Sequence, residues 1–236
     1  MPIMSSCMMT TSRLAAPDSP DPRFAVGDVI FADDFKGGLS NWVVELEQGG
    51  NVQVSDGAMD IDVPAGCTVW LKRPLAGPLM IEYDAVVISA GGRNDRVSDL
   101  NCFWMATDAR SPNDLFAAHR SGKFSDYDQL LAYYVGLGGN GNTTTRFRRY
   151  IGQQNNRPLL PEHDLLDPPH MIAANVSQRL RLVAAGNLIQ FYRDDERIFE
   201  MRDPSPYTRG HFAFRTVSNH MRVSHFRVRR LRRIAS

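Results

Sequence analysis

The chain has little lysine, little cysteine and no long apolar run. Three cysteines in 236 residues, Cys7, Cys67 and Cys102, are too few and too scattered for a disulfide scaffold or a cysteine-rich zinc site. No apolar stretch approaches the roughly 18 residues that carry a helix across a bilayer, so no membrane span is expected. The six histidines show no metal-ligand spacing on a common helix face. Lysine supplies only Lys36, Lys72 and Lys123 of the 27 basic residues, and arginine supplies the rest. The net charge of +1 excludes a strongly basic nucleic-acid binder by bulk charge. Residues 1–145 hold 10 basic and 18 acidic side chains, whereas 146–236 hold 17 and 8. An acidic front and an arginine-rich back therefore cancel. Those arginines either coat solvated strand faces or face an anionic ligand, because the guanidinium fork matches carboxylate and phosphate.

A hydrophobic content of 43% with 12 Phe supports a packed core over disorder. Residues 1–25 have no helical or strand period and read as a flexible leader, without the basic and apolar regions of a secretory signal. From Val26 to the C-terminus the pattern predicts one domain of short strands. Val52 and Val54, then Met59, Ile61 and Val63, alternate with polar residues around Asp56-Gly57, a strong hairpin signal. Leu100–Ala106, Leu130–Val135, Thr143–Tyr150, Leu180–Ala184, Leu188–Arg193, Arg197–Met201, His211–Thr216 and Met221–Leu231 follow, separated by Gly, Asn, Asp or Pro. No helix longer than two or three turns is expected, and the best short candidate is Asp114–Arg120. This spacing predicts an all-β, antiparallel sandwich of the jelly-roll type. Three polar stretches interrupt it, Gly91–Asp99, Ala109–Asp128 and Gly152–Asn175. Long loops in a compact domain are usually functional or disordered, and the Tyr, His and Arg that these carry favour function.

Two sequence features are set aside. Gly136–Gly141 joins two strands with no helix after it, so it reads as a hairpin loop and not a phosphate cradle. Arg227–Arg233 is arginine-rich but overlaps the closing strand and lacks an aromatic platform or recognition helix, so no nucleic-acid partner is expected.

The opening Phe31-Ala32-Asp33-Asp34-Phe35 with Gly38-Leu39-Ser40-Asn41-Trp42, and the closing Gly210–Thr216 with Met221–Val228, resemble the concanavalin A-like (laminin-G-like) jelly-roll superfamily. The central Asn101-Cys102-Phe103-Trp104, Tyr133–Gly136 and Asn140–Tyr150 are similar to a bacterial secreted subgroup related to glycan-utilisation lyases and hydrolases. The resemblance implies a carbohydrate ligand, a periplasmic or extracellular location and no required cofactor. It also allows a structural calcium beside the first strand, with Asp33 or Asp34 among its ligands.

Strand parity then sorts the candidates. Arg146, Arg148 and Tyr150 share one face, and Phe147 and Arg149 the other; Tyr133 and Tyr134 face opposite ways. Two arginines on one sheet face suit a uronate. A uronate lyase needs a group that neutralises the carboxylate, a base for the C5 proton and an acid for the leaving oxygen. The expected catalytic set is His119, Tyr133, Tyr134, Arg146 and Arg148. Asn101, Trp104, Asn140, Asn142, Tyr150 and His163 are expected substrate contacts, with Trp104 either a sugar platform or core. The alternatives are a glycoside hydrolase using a carboxylate pair, for which Glu82/Asp84, Asp60/Asp62 and the Glu162–Asp164 stretch are candidates, and a non-catalytic carbohydrate-binding module.

Overall fold

The computed structural model describes residues 21–234. The leader expected at 1–25 lies mostly outside them, but Phe24 and Ala25 do not belong to it: they open the first strand, paired with Arg233 and Arg232. In chain order the strands are β1 (Phe24–Asp33), β2 (Trp42–Leu46), β3 (Asn51–Ser55), β4 (Ala58–Leu71), β5 (Leu75–Ala76), β6 (Leu79–Val87) and β7 (Asn101–Asp108). They continue with β8 (Leu130–Gly138), β9 (Thr144–Ile151), β10 (Leu159–Leu165), β11 (Gln178–Ala185), β12 (Leu188–Arg193), β13 (Glu196–Arg202) and β14 (Arg209–Arg233).

Among the described residues all strand pairings are antiparallel, and they form a sandwich of two sheets. The first sheet runs β10-β9-β8-β7, then the first half of β14, the second half of β4, and β2. The second runs β13-β12-β11-β6, then the second half of β14, flanked by β1 and by the first half of β4 with β3. The expected all-β antiparallel jelly roll is therefore what the chain forms. The Asp56-Gly57 hairpin is also present, with both residues at positive φ (50° and 70°), as a type I′ turn requires.

The two closing strands read from sequence are one 25-residue strand. β14 bends where Ser218 takes φ +46° and crosses from one sheet to the other. The aromatic core lies between the sheets: Trp42 meets Phe226, Tyr83 meets Phe212 and Phe214, and Phe147 meets Phe199.

Two expectations about the connections change. Gly152–Asn175 is not all loop, because β10 lies within it and pairs with β9 through Arg148–Leu159 and Arg146–Asp164. Asp114–Arg120 forms only one tight turn, Leu115–Ala117, capped by the Asp114 carboxylate on the Phe116 amide. The 109–129 segment folds back over the outer face of the first sheet. There Leu115, Tyr127 and Leu130 pack with Trp70, Phe103, Ala132, Tyr134, Tyr150 and Ala213 in a second apolar cluster.

Candidate functional site

The outer face of the first sheet carries the expected arginines. Across it, Glu45 stands opposite Thr68, Thr68 opposite Arg215, and Arg215 opposite Asn101. Gly136 then stands opposite Arg146, and Arg146 opposite Asp164 on the edge strand β10. One step along, Phe103 pairs with Tyr134 and Tyr134 with Arg148. On this face, where the 109–129 segment does not reach, lies a cavity of about 430 Å³. Asn101, Tyr134, Arg146 and Arg148 form its floor, Asn140 and Thr144 its upper rim, Arg96, Asp99 and Val217 one flank, and Phe124 the wall against the covered part.

The two floor arginines differ. Arg146 is neutralised by Asp164, which accepts from Nε at 2.7 Å and from Nη2 at 3.1 Å. Arg148 donates to the Arg157 carbonyl and has no carboxylate partner among the described residues. Burial lowers its pKa from the ordinary arginine value, and Arg146 and Arg157 nearby add to this. A guanidinium nevertheless stays charged, so a half-buried positive charge faces the cavity without a counter-ion. Arg96 is held by Asp99, the one carboxylate among the described residues that lines the cavity. Asp99 also accepts from Ser98 and from Asn101 Nδ2 at 3.1 Å.

Two polar atoms at the floor are unsatisfied. Asn101 Oδ1 is buried without a donor among the described residues. The Tyr134 hydroxyl takes no hydrogen bond among the described residues, and burial, with Tyr150 and Asp99 nearby, pushes its pKa well above the ordinary tyrosine value. Tyr134 is thus a neutral phenol with a proton to donate.

The other expected site residues lie elsewhere. Tyr133 faces the sandwich interior, where its hydroxyl donates to Asp203 at 2.7 Å and accepts from the Tyr207 amide. Trp104 is fully buried and stacked on Phe147, so it is core and not a sugar platform. Strict alternation sets Trp104 opposite Asn101 and Phe103, as found, and would set it opposite Met105 too. Met105 takes φ +53° in a bulge and joins Trp104 in the core. His163 is also interior, packed against the rings of Phe147 and Phe199. His119 is exposed on the 109–129 segment and does not line the cavity. Tyr150 lies under that segment, its ring against Tyr134. Asn142 is engaged on both sides by the Ile172 backbone, at 2.9 Å each. Of the eleven catalytic and substrate residues expected, the cavity brings together Asn101, Tyr134, Asn140, Arg146 and Arg148.

The calcium ligands do not fit a cation. Asp33 turns inward, and its carboxylate accepts from the Phe35 amide, Asn41 Nδ2 and Trp42 Nε1. Both its oxygens are taken, and Asp34 faces solvent beside Lys36. Among the described residues no group of three or more His, Cys, Asp or Glu is arranged to hold a metal.

The sequence reading missed Arg96, Asp99, Phe124 and Arg215. The first three fall in polar stretches already marked as too long for plain connections, which was the only signal available. Arg215 is fully buried beside the cavity. Its Nη1 donates to Thr68 and to the Gly122 carbonyl, its guanidinium lies over Phe124 and Tyr127, and its Nε and Nη2 have no hydrogen-bond partner among the described residues.

With this geometry in view, the chain can be set beside known proteins. Residues 61–226 match the family described as domain of unknown function DUF6250, and the chain belongs to that family. No curated protein matches it. Its fold is similar to a Bacillus subtilis protein of unknown function with a galectin-like fold, at 17% identity and TM-score 0.69, covering 89% of this chain and 100% of that one. It is also similar to β-agarase B of Zobellia galactanivorans, at 10% identity and TM-score 0.57, over 93% and 98% of the two chains. The carbohydrate-binding module CBM66 of Bacillus subtilis matches at 11% identity and TM-score 0.53, over 80% and 95%. At these identities the likeness establishes the shared fold.

Proposed function

We propose that this member of the DUF6250 family binds an acidic saccharide, seating the carboxylate of a uronate on Arg148 in the outer-face cavity. The observation that carries this reading is the charge of Arg148. It is half-buried, lacks an acidic partner, and stands next to an arginine whose own charge is already taken. Asn101 Oδ1 and the Tyr134 hydroxyl supply an acceptor and a donor for sugar hydroxyls. The cavity volume falls within the range of small-ligand sites. The named functions of the agarase and the binding module on this fold agree with a carbohydrate ligand. A polymeric glycan is met outside the cytoplasm, so a periplasmic or extracellular setting belongs to the same proposal.

Between binding and hydrolysis the geometry favours binding. Glycoside hydrolysis needs two carboxylates flanking the scissile bond. Among the described residues the cavity offers Asp99 alone, already engaged by Arg96, Ser98 and Asn101. Glu82 and Asp84 pair with Arg229, and with Arg179 and His225, on the outside of the second sheet. Asp60 and Asp62 are engaged by His220 and Asn94.

A second reading, β-elimination, is favoured by the unpartnered Tyr134 hydroxyl. In that step the C5 proton leaves, the C4–O bond breaks and the leaving oxygen is protonated. Tyr134 must first give its own proton to solvent, because a neutral phenol is no base; the phenolate, beside the Arg148 charge, then takes the C5 proton and passes it to the leaving oxygen, as no histidine among the described residues lines the cavity.

Calorimetric titration with oligogalacturonate, oligomannuronate and neutral cello-oligosaccharides tests both readings. At least one uronate series should bind and the neutral series should not. Arg148→Ala should weaken binding about tenfold or more, because a hydrogen bond to a charged group contributes about 1.5–3 kcal/mol. Equal affinity for neutral and acidic series would end the proposal. If elimination follows binding, the ultraviolet absorbance of an unsaturated uronate appears and is abolished by Tyr134→Phe while binding persists.

A further inference from the structure

We infer that the cavity reads the end of an acidic saccharide chain and not its interior. This rests on the uronate-binding reading above and adds the substrate form. The row of outward-facing side chains that carries Arg146 and Asn101 continues past Asn101 to Arg215, Thr68 and Glu45. A saccharide lying across the strands would follow that row. The 109–129 segment occupies it. The Gly122 carbonyl sits on Arg215 Nη1, Phe124 stands over the same guanidinium while forming the cavity wall, and the Tyr127 hydroxyl caps Glu45 at 2.8 Å. The row is therefore closed immediately beyond Asn101. On the other side it runs out to the half-exposed Arg146–Asp164 pair at the edge strand.

The closure is built in and is not a resting lid. The Arg120 side chain is fully buried, bridging Glu45 at 3.0 Å and Asp108 at 3.3 Å, and it donates to the Leu115 carbonyl. Trp70 Nε1 donates to the same Glu45 carboxylate. At the far end of the segment the buried Asp128 accepts from Arg157, Gln154 Nε2 and the Asn155 amide. Gly122 takes φ +89° against the β2 backbone, so closely that a Cβ there would stand 2.5 Å from the Glu47 nitrogen. Both ends and the middle of the segment are fixed, so the blocked half of the row is not available to a passing chain.

A length series of the uronate that binds best, from dimer to long polymer, is titrated by calorimetry against the intact protein and its Arg148→Ala variant. The expected result is a fixed stoichiometry of one protein per chain at every length, with affinity per chain flat beyond the first few units. At equal mass the polymer should compete in proportion to its number of ends. Stoichiometry that rises with chain length, still sensitive to Arg148→Ala, overturns chain-end reading and leaves uronate binding standing. Binding by no member of the series overturns both.

Discussion

Tyr133 and Tyr134 are neighbours in sequence and opposites in role, and the strand pleat alone separates them. Tyr133 points inward, where its hydroxyl and Arg149 both serve the buried Asp203. Burial pushes that carboxyl upward, but hydrogen bonds from Tyr133 and Arg149 more than offset this and hold its pKa below the ordinary aspartate value. Tyr133→Phe removes one of those donors and leaves the Tyr207 amide without its acceptor. It should cost about 1–3 kcal/mol in chemical denaturation, the range for stranding a buried polar group, and leave saccharide affinity unchanged. Tyr134→Phe removes a hydroxyl with no partner among the described residues, so its stability should stay within about 0.5 kcal/mol of the parent in chemical denaturation. Any effect should fall on the ligand instead. If Tyr133→Phe weakened binding as much as it weakened the fold, the division of labour drawn from the pleat would be wrong.

The strands were largely legible in the sequence, and the segments between them were not. Alternation is a local property, so the faces of β8 and β9 could be read residue by residue. It failed at Met105, where a bulge shifts the register, and at His163, where a Pro-flanked stretch hides an edge strand. The 109–129 segment is harder still. Its fold depends on Arg120 meeting Glu45, 75 positions away, and on Arg215 meeting Gly122, 93 positions away, and no local pattern encodes such pairs. That is also why Phe124 and Arg215 went unread while Arg146 and Arg148 did not. The element-scale prediction concerns this segment. Arg120→Met preserves bulk but leaves Glu45 and Asp108 short of a buried counter-charge. Breaking a buried ion pair costs about 3–5 kcal/mol, and this site should fall at the lower end because Arg110 still holds Asp108 and Tyr127 still reaches Glu45. A loosened segment should also admit internal saccharide units, so stoichiometry on a long uronate should rise. A variant destabilised to that extent but still binding one protein per chain would show that something other than the segment sets the chain-end limit.

At the scale of the whole molecule, the acidic front and arginine-rich back of the sequence meet in space. Arg157 pairs with Asp128, Arg229 with Glu82 and Arg232 with Asp28, so late arginines sit on early carboxylates, whereas Arg148, facing the cavity, has none among the described residues. Histidine enters this scheme as well, most centrally at His220. His220 on β14 lies between Asp95, 2.9 Å from Nδ1, and Asp60 on β4, 3.2 Å from Nε2, with Asp62 also near. It ties β4 and β14 to the 90–95 segment that leads into Arg96 and Asp99 of the cavity flank. Burial alone would lower its pKa, but Asp95, Asp60 and Asp62 outweigh burial and raise it above the ordinary histidine value. A raised folded-state value means that the contribution of His220 is fully present below the unfolded histidine value of about 6.5. It is lost as pH climbs through the folded value. Asp95 runs the other way: its pKa is lowered mainly by the Ala90 and Gly92 amides, so its contribution is lost as pH falls through that lowered value. The joint is therefore tightest in the window between the two. His220→Gln should lower the melting temperature more at about pH 5.5 than at about pH 9, and Asp60→Asn should shrink that pH-dependent gap. A His220→Gln deficit equal at both pH values would show that the imidazole packs without carrying charge, and would remove the electrostatic link between the 90–95 segment and the sandwich.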